Sequence, residues 1–143
     1  MSARKTFADI LSEIGSSPPQ SQYFEAFIRV GCVAWLHEQL VRLHSHKREK
    51  KDKFRPVAVI QKNRQFARFV PSTSQPPRKT KYVVRIPAGT ISGQNKDSYY
   101  LVRYAQKEHC SRFDRSNTRA GGKIPESYFQ QIMDTYRQWI KNH

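Results

Sequence analysis

Residues 57–70 read VAVIQKNRQFARFV. Two runs rich in Val, Ile and Phe, at 57–61 and 64–70, flank the polar pair Lys62 and Asn63, the pattern of two strands joined by a tight hairpin. Similar composition returns at 81–86 and 98–106, after the proline-rich connection PSTSQPPRKT at 71–80 and a polar, glycine-containing tip at 89–97. Four antiparallel strands are expected.

Helical spacing takes over on both sides of these strands. Upstream, Phe24, Phe27, Ile28, Cys32, Trp35, Leu36, Leu40 and Leu43 form one stripe, so a long helix is expected from about residue 21 to about residue 44. A shorter amphipathic helix is expected near Thr6, with Phe7, Ile10, Leu11 and Ile14 on one face and Gly15 as its stop, before the linker SSPPQS. Downstream, Pro125 suits the first turn of a helix, and Phe129, Ile132, Met133, Tyr136, Trp139 and Ile140 give that helix an apolar face. The expected architecture is therefore α+β: short helix, long helix, four-stranded antiparallel sheet, and a C-terminal helix packed on one sheet face. One basic domain, 1–143, is expected, with 1–20 as short helix and linker and 107–124 as an exposed Arg/Gly-rich loop.

Charge supplies the functional signal. The chain carries 26 Lys plus Arg against 11 Asp plus Glu, a formal +15 on 143 residues, and such self-repulsion is relieved by a polyanion. Nucleic acid is the expected partner, with DNA slightly favoured over RNA. A hydrophobic content of 37% and an aromatic content of 12% are too high for a disordered basic tail. Cys32 and Cys110 are the only cysteines and no C-x-x-C pair exists, which leaves a disulfide framework or a cysteine zinc site unsupported. His44 and His46 stand among cations that disfavour a metal, so no metal or cofactor is expected. No run of about 18 apolar residues suggests a membrane span, and the N-terminal stretch is too polar for a signal peptide. The expected location is cytoplasmic, nucleoid-associated in a bacterium or nuclear in a eukaryote, with no membrane partner.

Three constellations could meet nucleic acid. Strict alternation puts Arg64, Phe66 and Arg68, then Val83 and Arg85, then Tyr99, Leu101 and Arg103 on one sheet face, where arginines would meet phosphates and rings would meet unstacked bases. Ala67, Phe69, Tyr82, Val84, Ile86, Tyr100, Val102 and Tyr104 fall on the other face and should pack under helices. The run with Lys47, Arg48, Lys50, Lys51, Lys53 and Arg55 is suited to tracking a phosphate backbone. In the loop, Arg112, Arg115, Asn117 and Arg119 have shapes that suit base edges, beside Gly121, Gly122 and Lys123. Together these describe a non-catalytic accessory or regulatory factor, for instance of a replication, recombination or DNA-transfer complex with protein partners. The alternative is a small, toxin-like, metal-independent ribonuclease in which His109, beside Glu108 and near Tyr104, Arg112 and Arg115, acts as the base.

Overall fold

The computed structural model describes residues 27–43, 53–119 and 121–143. Six strands form one antiparallel sheet: β1 (Val33–His37), β2 (Phe54–Lys62), β3 (Phe66–Thr73), β4 (Val83–Ile86), β5 (Ser98–Leu101) and β6 (Gln106–His109). Neighbours run in the order β1-β2-β3-β5-β4, and β6 lies against β3. β3 thus has partners in succession: Phe66 through Phe69 pair with β6, whereas Ser72 and Thr73 pair with β5. A short helix α1 (Arg115–Arg119) and a long helix α2 (Glu126–Asn142) follow.

The apolar run in β2 is buried on both sides, which is why it reads as continuous rather than alternating. Ala58 and Ile60 join Val70, Val84, Ile86, Tyr100, Ile124 and Ile132 in a core with Phe129, Met133, Tyr136 and Trp139 of α2 packed against it. Val57 and Val59 join Ile28, Leu36, Phe69 and Phe113 in a second core. The α+β class, the antiparallel sheet and the C-terminal helix match the sequence reading. On α2, however, Ile140 is exposed.

Strand parity also holds at most positions. Ala67, Phe69, Tyr82, Val84, Ile86, Tyr100 and Val102 are buried, while Arg64, Phe66, Arg68, Arg85, Tyr99 and Arg103 are exposed or half-buried. Leu101, assigned outward, is buried, and Tyr104, assigned inward, is half-buried. Ala67 and Phe69 lie in the second core and not in the core beneath α2.

Three expectations need correction. The long helix does not extend through residues 33–40, which form β1 and a 3-10 turn, Glu38–Leu40. Gly31 takes a φ of 85°, the left-handed region that glycine tolerates, and turns the chain into the strand. Val33, Ala34, Trp35 and Leu36 then send alternate side chains into the two cores, a two-sided burial that mimics a helical stripe. The sheet has six strands because of β1 and because the run 98–106 is broken by a 3-10 turn, Val102–Tyr104, so that β6 begins at Gln106. In that turn the Val102 amide donates to Tyr82 O (3.0 Å) and the Ala105 amide to Val102 O (3.0 Å).

Residues 107–124 are likewise not a free loop. They hold most of β6, a 3-10 turn at Cys110–Arg112 and α1, and they are tied to β1. Thr118 Oγ1 accepts the Trp35 amide (2.9 Å), Val33 N donates to Gly122 O (3.0 Å), and Ile124 N donates to Gly31 O (2.9 Å). The short helix and linker expected at 1–20, and the part of the long helix before residue 27, lie outside the described residues.

Candidate functional site: a basic groove at the end of the sheet

β2 enters the sheet with Phe54 opposite His37 and Arg55 opposite Leu36. Ser72 and Thr73 end β3 nearby. Between these strand ends lies a groove of about 550 Å³, with Val33, Trp35 and Tyr100 contributing apolar surface and Lys53, Arg55, Lys96, Ser72, Thr73 and Asn117 contributing polar groups. Burial pushes the Tyr100 phenol well above the usual tyrosine range, so it stays protonated.

Arg55 is the best-anchored cation of the groove. Its Nε lies 3.1 Å from Glu38 Oε1, and its Nη1 donates to Ser72 O at 3.3 Å. The Arg55 side chain is 15% exposed and that of Glu38 3%. Glu38 is held in turn by the 3-10 turn, where its amide donates to Lys53 O (2.9 Å) and its carbonyl accepts from Val41 N (3.1 Å). Ser72 Oγ donates to Pro56 O (2.7 Å), which ties the end of β3 to β2. A charged group fixed by a buried carboxylate keeps its geometry without reorganising when an anion arrives.

The groove walls are equally fixed. On one side is the β4–β5 connection, where Gln94 accepts the Ile91 amide (3.0 Å) and donates to Ile86 O (2.9 Å) and Ser98 Oγ (3.2 Å). Asp97 closes the same connection: its Oδ1 accepts the Ala88 amide (2.8 Å), and its Oδ2 pairs with Arg85 (2.8 Å). The Ala88 N–H, followed by the Arg85 guanidinium, holds the Asp97 carboxyl below the usual aspartate range. The other wall is the segment carrying Asn117, Gly121 and Gly122. A Cβ on Gly121 would run into the carbonyl oxygen of Val33, and one on Gly122 would lie 2.8 Å from Ile91 Cγ2, so both positions need glycine.

The structure divides the residues that the sequence grouped. Lys53 and Arg55 reach the groove; Lys47, Arg48, Lys50 and Lys51 lie outside the described residues. Arg85 holds Asp97. Tyr99 pairs in register with Thr73 but does not line the groove. Arg103 is half-buried, and its Nε has no hydrogen-bond partner among the described residues. Arg112 lies 3.7 Å from Glu108, Arg115 sits over the Phe27 ring at 5.0 Å, Arg119 ends α1, and Lys123 forms a backbone bridge with Cys32. Arg64, Phe66 and Arg68 sit at the far end of β3 from Thr73.

His109 is not in the groove. It ends β6, where its Nδ1 accepts the Ser111 amide (3.2 Å) and its ring meets Phe66 edge-on at 5.4 Å. Glu108 Oε1 accepts the His109 amide (3.0 Å), and the two side chains project to opposite faces of the strand. The sequence reading missed Trp35, Glu38, Ser72, Thr73 and Lys96. Glu38, a single acid between Leu36 and Leu40, was the one visible clue. Among the described residues no three His, Cys, Asp or Glu side chains gather closely enough to hold a metal ion, and no helix is long and apolar enough to cross a membrane.

The chain is similar in structure to the Mycobacterium tuberculosis toxin MazF-mt6, with a TM-score of 0.55 over 77% of this chain and 96% of that one, at 12% identity. No protein-family model and no curated protein matches the sequence.

Proposed function

We propose that this chain is a ribonuclease that cleaves RNA in the groove centred on Arg55. The fold shared with a MazF toxin replaces the expectation of a non-catalytic, DNA-favouring accessory factor, because it favours catalysis over passive binding and RNA over DNA. The observation within the chain that carries the reading is the anchored Arg55, which lines the groove beside Lys53 and Thr73.

RNA brings its own nucleophile. The 2′-oxygen attacks the adjacent phosphorus, the bond to the 5′-oxygen breaks, and a 2′,3′-cyclic phosphate and a 5′-hydroxyl remain. The proton lost from the 2′-oxygen passes to water, and the departing 5′-oxygen takes one back. Among the described residues, those lining the groove include no carboxylate and no imidazole, and what they supply is charge stabilisation. Arg55 neutralises the charge that grows on the phosphoryl oxygens, Lys53 and Lys96 hold neighbouring phosphates, and the Thr73 hydroxyl supplies a further donor.

The test uses end-labelled RNA, with kcat and product ends measured for the wild type and Arg55→Ala. Removal of one fixed donor to a developing anion is expected to lower kcat by about 100-fold or more. RNA left intact by the wild-type protein overturns the reading. Retained cleavage by Arg55→Ala, with loss in His109→Ala, would move the chemistry to β6.

A further inference from the structure

The groove leaves one sequence-defined constellation without a role: the outward face where β3 begins. Its register with β6 pairs Phe66 with His109 and Arg68 with Lys107, and its register with β2 puts Gln61 on the other side of Arg68. Arg68 and Lys107 are two cations directly opposed on adjacent strands, an arrangement that destabilises a sheet. Neither has an ion-pair partner among the described residues. Lys107 Nζ lies 5.0 Å over the Phe66 ring, and Arg64 is exposed on the hairpin beside it. That hairpin is rigid, since Asn63 Oδ1 accepts the amides of Gln65 (2.9 Å) and Phe66 (2.8 Å) and Asn63 N donates to Phe66 O (2.9 Å).

We propose that Arg64, Phe66, Arg68 and Lys107 form a second RNA-contact face, distinct from the groove, that holds a flanking stretch of single strand while another part of the same strand occupies the groove. This rests on the ribonuclease reading. Opposed cations that nothing among the described residues neutralises suit phosphates, which would turn their repulsion into attraction. A half-buried ring beside them, Phe66, is the feature that selects a single strand over a duplex, because only unpaired bases can lie on it. Groove and face stand at opposite ends of β3, with Thr73 at one and Phe66 at the other. With about 3.3 Å per residue, the five residues from Arg68 to Thr73 span roughly 17 Å, so only a strand several nucleotides long can touch both.

The experiment is a fluorescence-anisotropy titration of the full chain with 2′-O-methyl RNA of 4 and of 20 nucleotides, at several salt concentrations. It compares the wild type with Arg68→Ala/Lys107→Ala and with Phe66→Leu. For the double variant the 20-mer affinity is expected to fall about tenfold or more, and its log–log salt slope to become shallower by about 1.4, from roughly 0.7 for each of two lost phosphate contacts. Affinity for the 4-mer, which one site can hold, is expected to stay unchanged. The thermal midpoint is expected to hold or rise, because a like-charge pair has gone. Phe66→Leu is expected to weaken single-stranded but not duplex 20-mers.

Unchanged 20-mer affinity and slope in the double variant overturn the proposal. So does an equal loss for the 4-mer and the 20-mer, or equal loss on single strand and duplex in Phe66→Leu. Failure of the ribonuclease reading has a different signature, unmodified RNA left intact by the wild-type protein whatever the binding data show.

Discussion

Glu38→Gln separates a buried ion pair from a decorative one. The substitution keeps the volume and removes the charge that faces Arg55 Nε at 3.1 Å, with both side chains mostly shielded from water. Breaking a buried pair by removing one partner leaves the other charge desolvated and costs about 3–5 kcal/mol. Arg55 lines a groove open to solvent, which argues for the lower end, about 3 kcal/mol. With an unfolding entropy of about 2.1 cal/mol/K per residue, a chain of 143 residues has about 0.3 kcal/mol/K, so the thermal midpoint should drop by about 10 °C. Calorimetry reads the midpoint, and cleavage of labelled RNA is followed in parallel at a temperature where the variant is folded. There kcat should fall while KM moves little, since a loosened Arg55 still attracts phosphate but no longer meets the transition state in place. The paired variant Glu38→Leu/Arg55→Leu should recover most of the stability, because a desolvated pair replaced by packed apolar groups is close to neutral, while kcat falls further with the loss of Arg55 itself. A Glu38→Gln midpoint within about 2 °C of the wild type would refute the reasoning, since the energy at stake is several times larger.

Two further outcomes test the walls of the groove. Asp97 has a lowered pKa in the folded state, so its contribution is present above the ordinary aspartate value and is lost as pH falls through the folded one. An NMR titration should therefore show the Ala88 amide shifting only below the usual aspartate range, and the shift should vanish in Asp97→Asn; a transition at or above the ordinary value contradicts the assignment. Gly121→Ala should cost about 1–3 kcal/mol by urea unfolding, because its Cβ meets the Val33 carbonyl oxygen and the wall must move, and wild-type stability would refute that crowding.

The strands were legible because period two is a local property. Phe69, Val84, Ile86 and Tyr100 announce their faces through immediate neighbours, and the structure buries all four. The helical stripe misled at residues 33–36, since consecutive apolar residues that feed two cores satisfy a spacing of three and four equally well. Only the left-handed Gly31 breaks the tie, and its conformation cannot be read from Val30 or Cys32. Charge drew attention to Lys53 and Arg55, but as members of a run along a helix end, whereas Arg55 stands on a strand. The groove itself was not legible. It joins residues 35, 55, 73, 96 and 117, and only the sheet register and the return of the chain along β1 bring them together.

That return has a consequence for the order in which activity can arise during synthesis. β1 is made early, yet its free rim is covered by residues 122–124 and by Phe113, which bridges to Leu36. Until those residues emerge, the groove lacks the wall that carries Asn117, Gly121 and Gly122. A chain released by a ribosome that stalls before this point holds Arg55 but not the cleft around it.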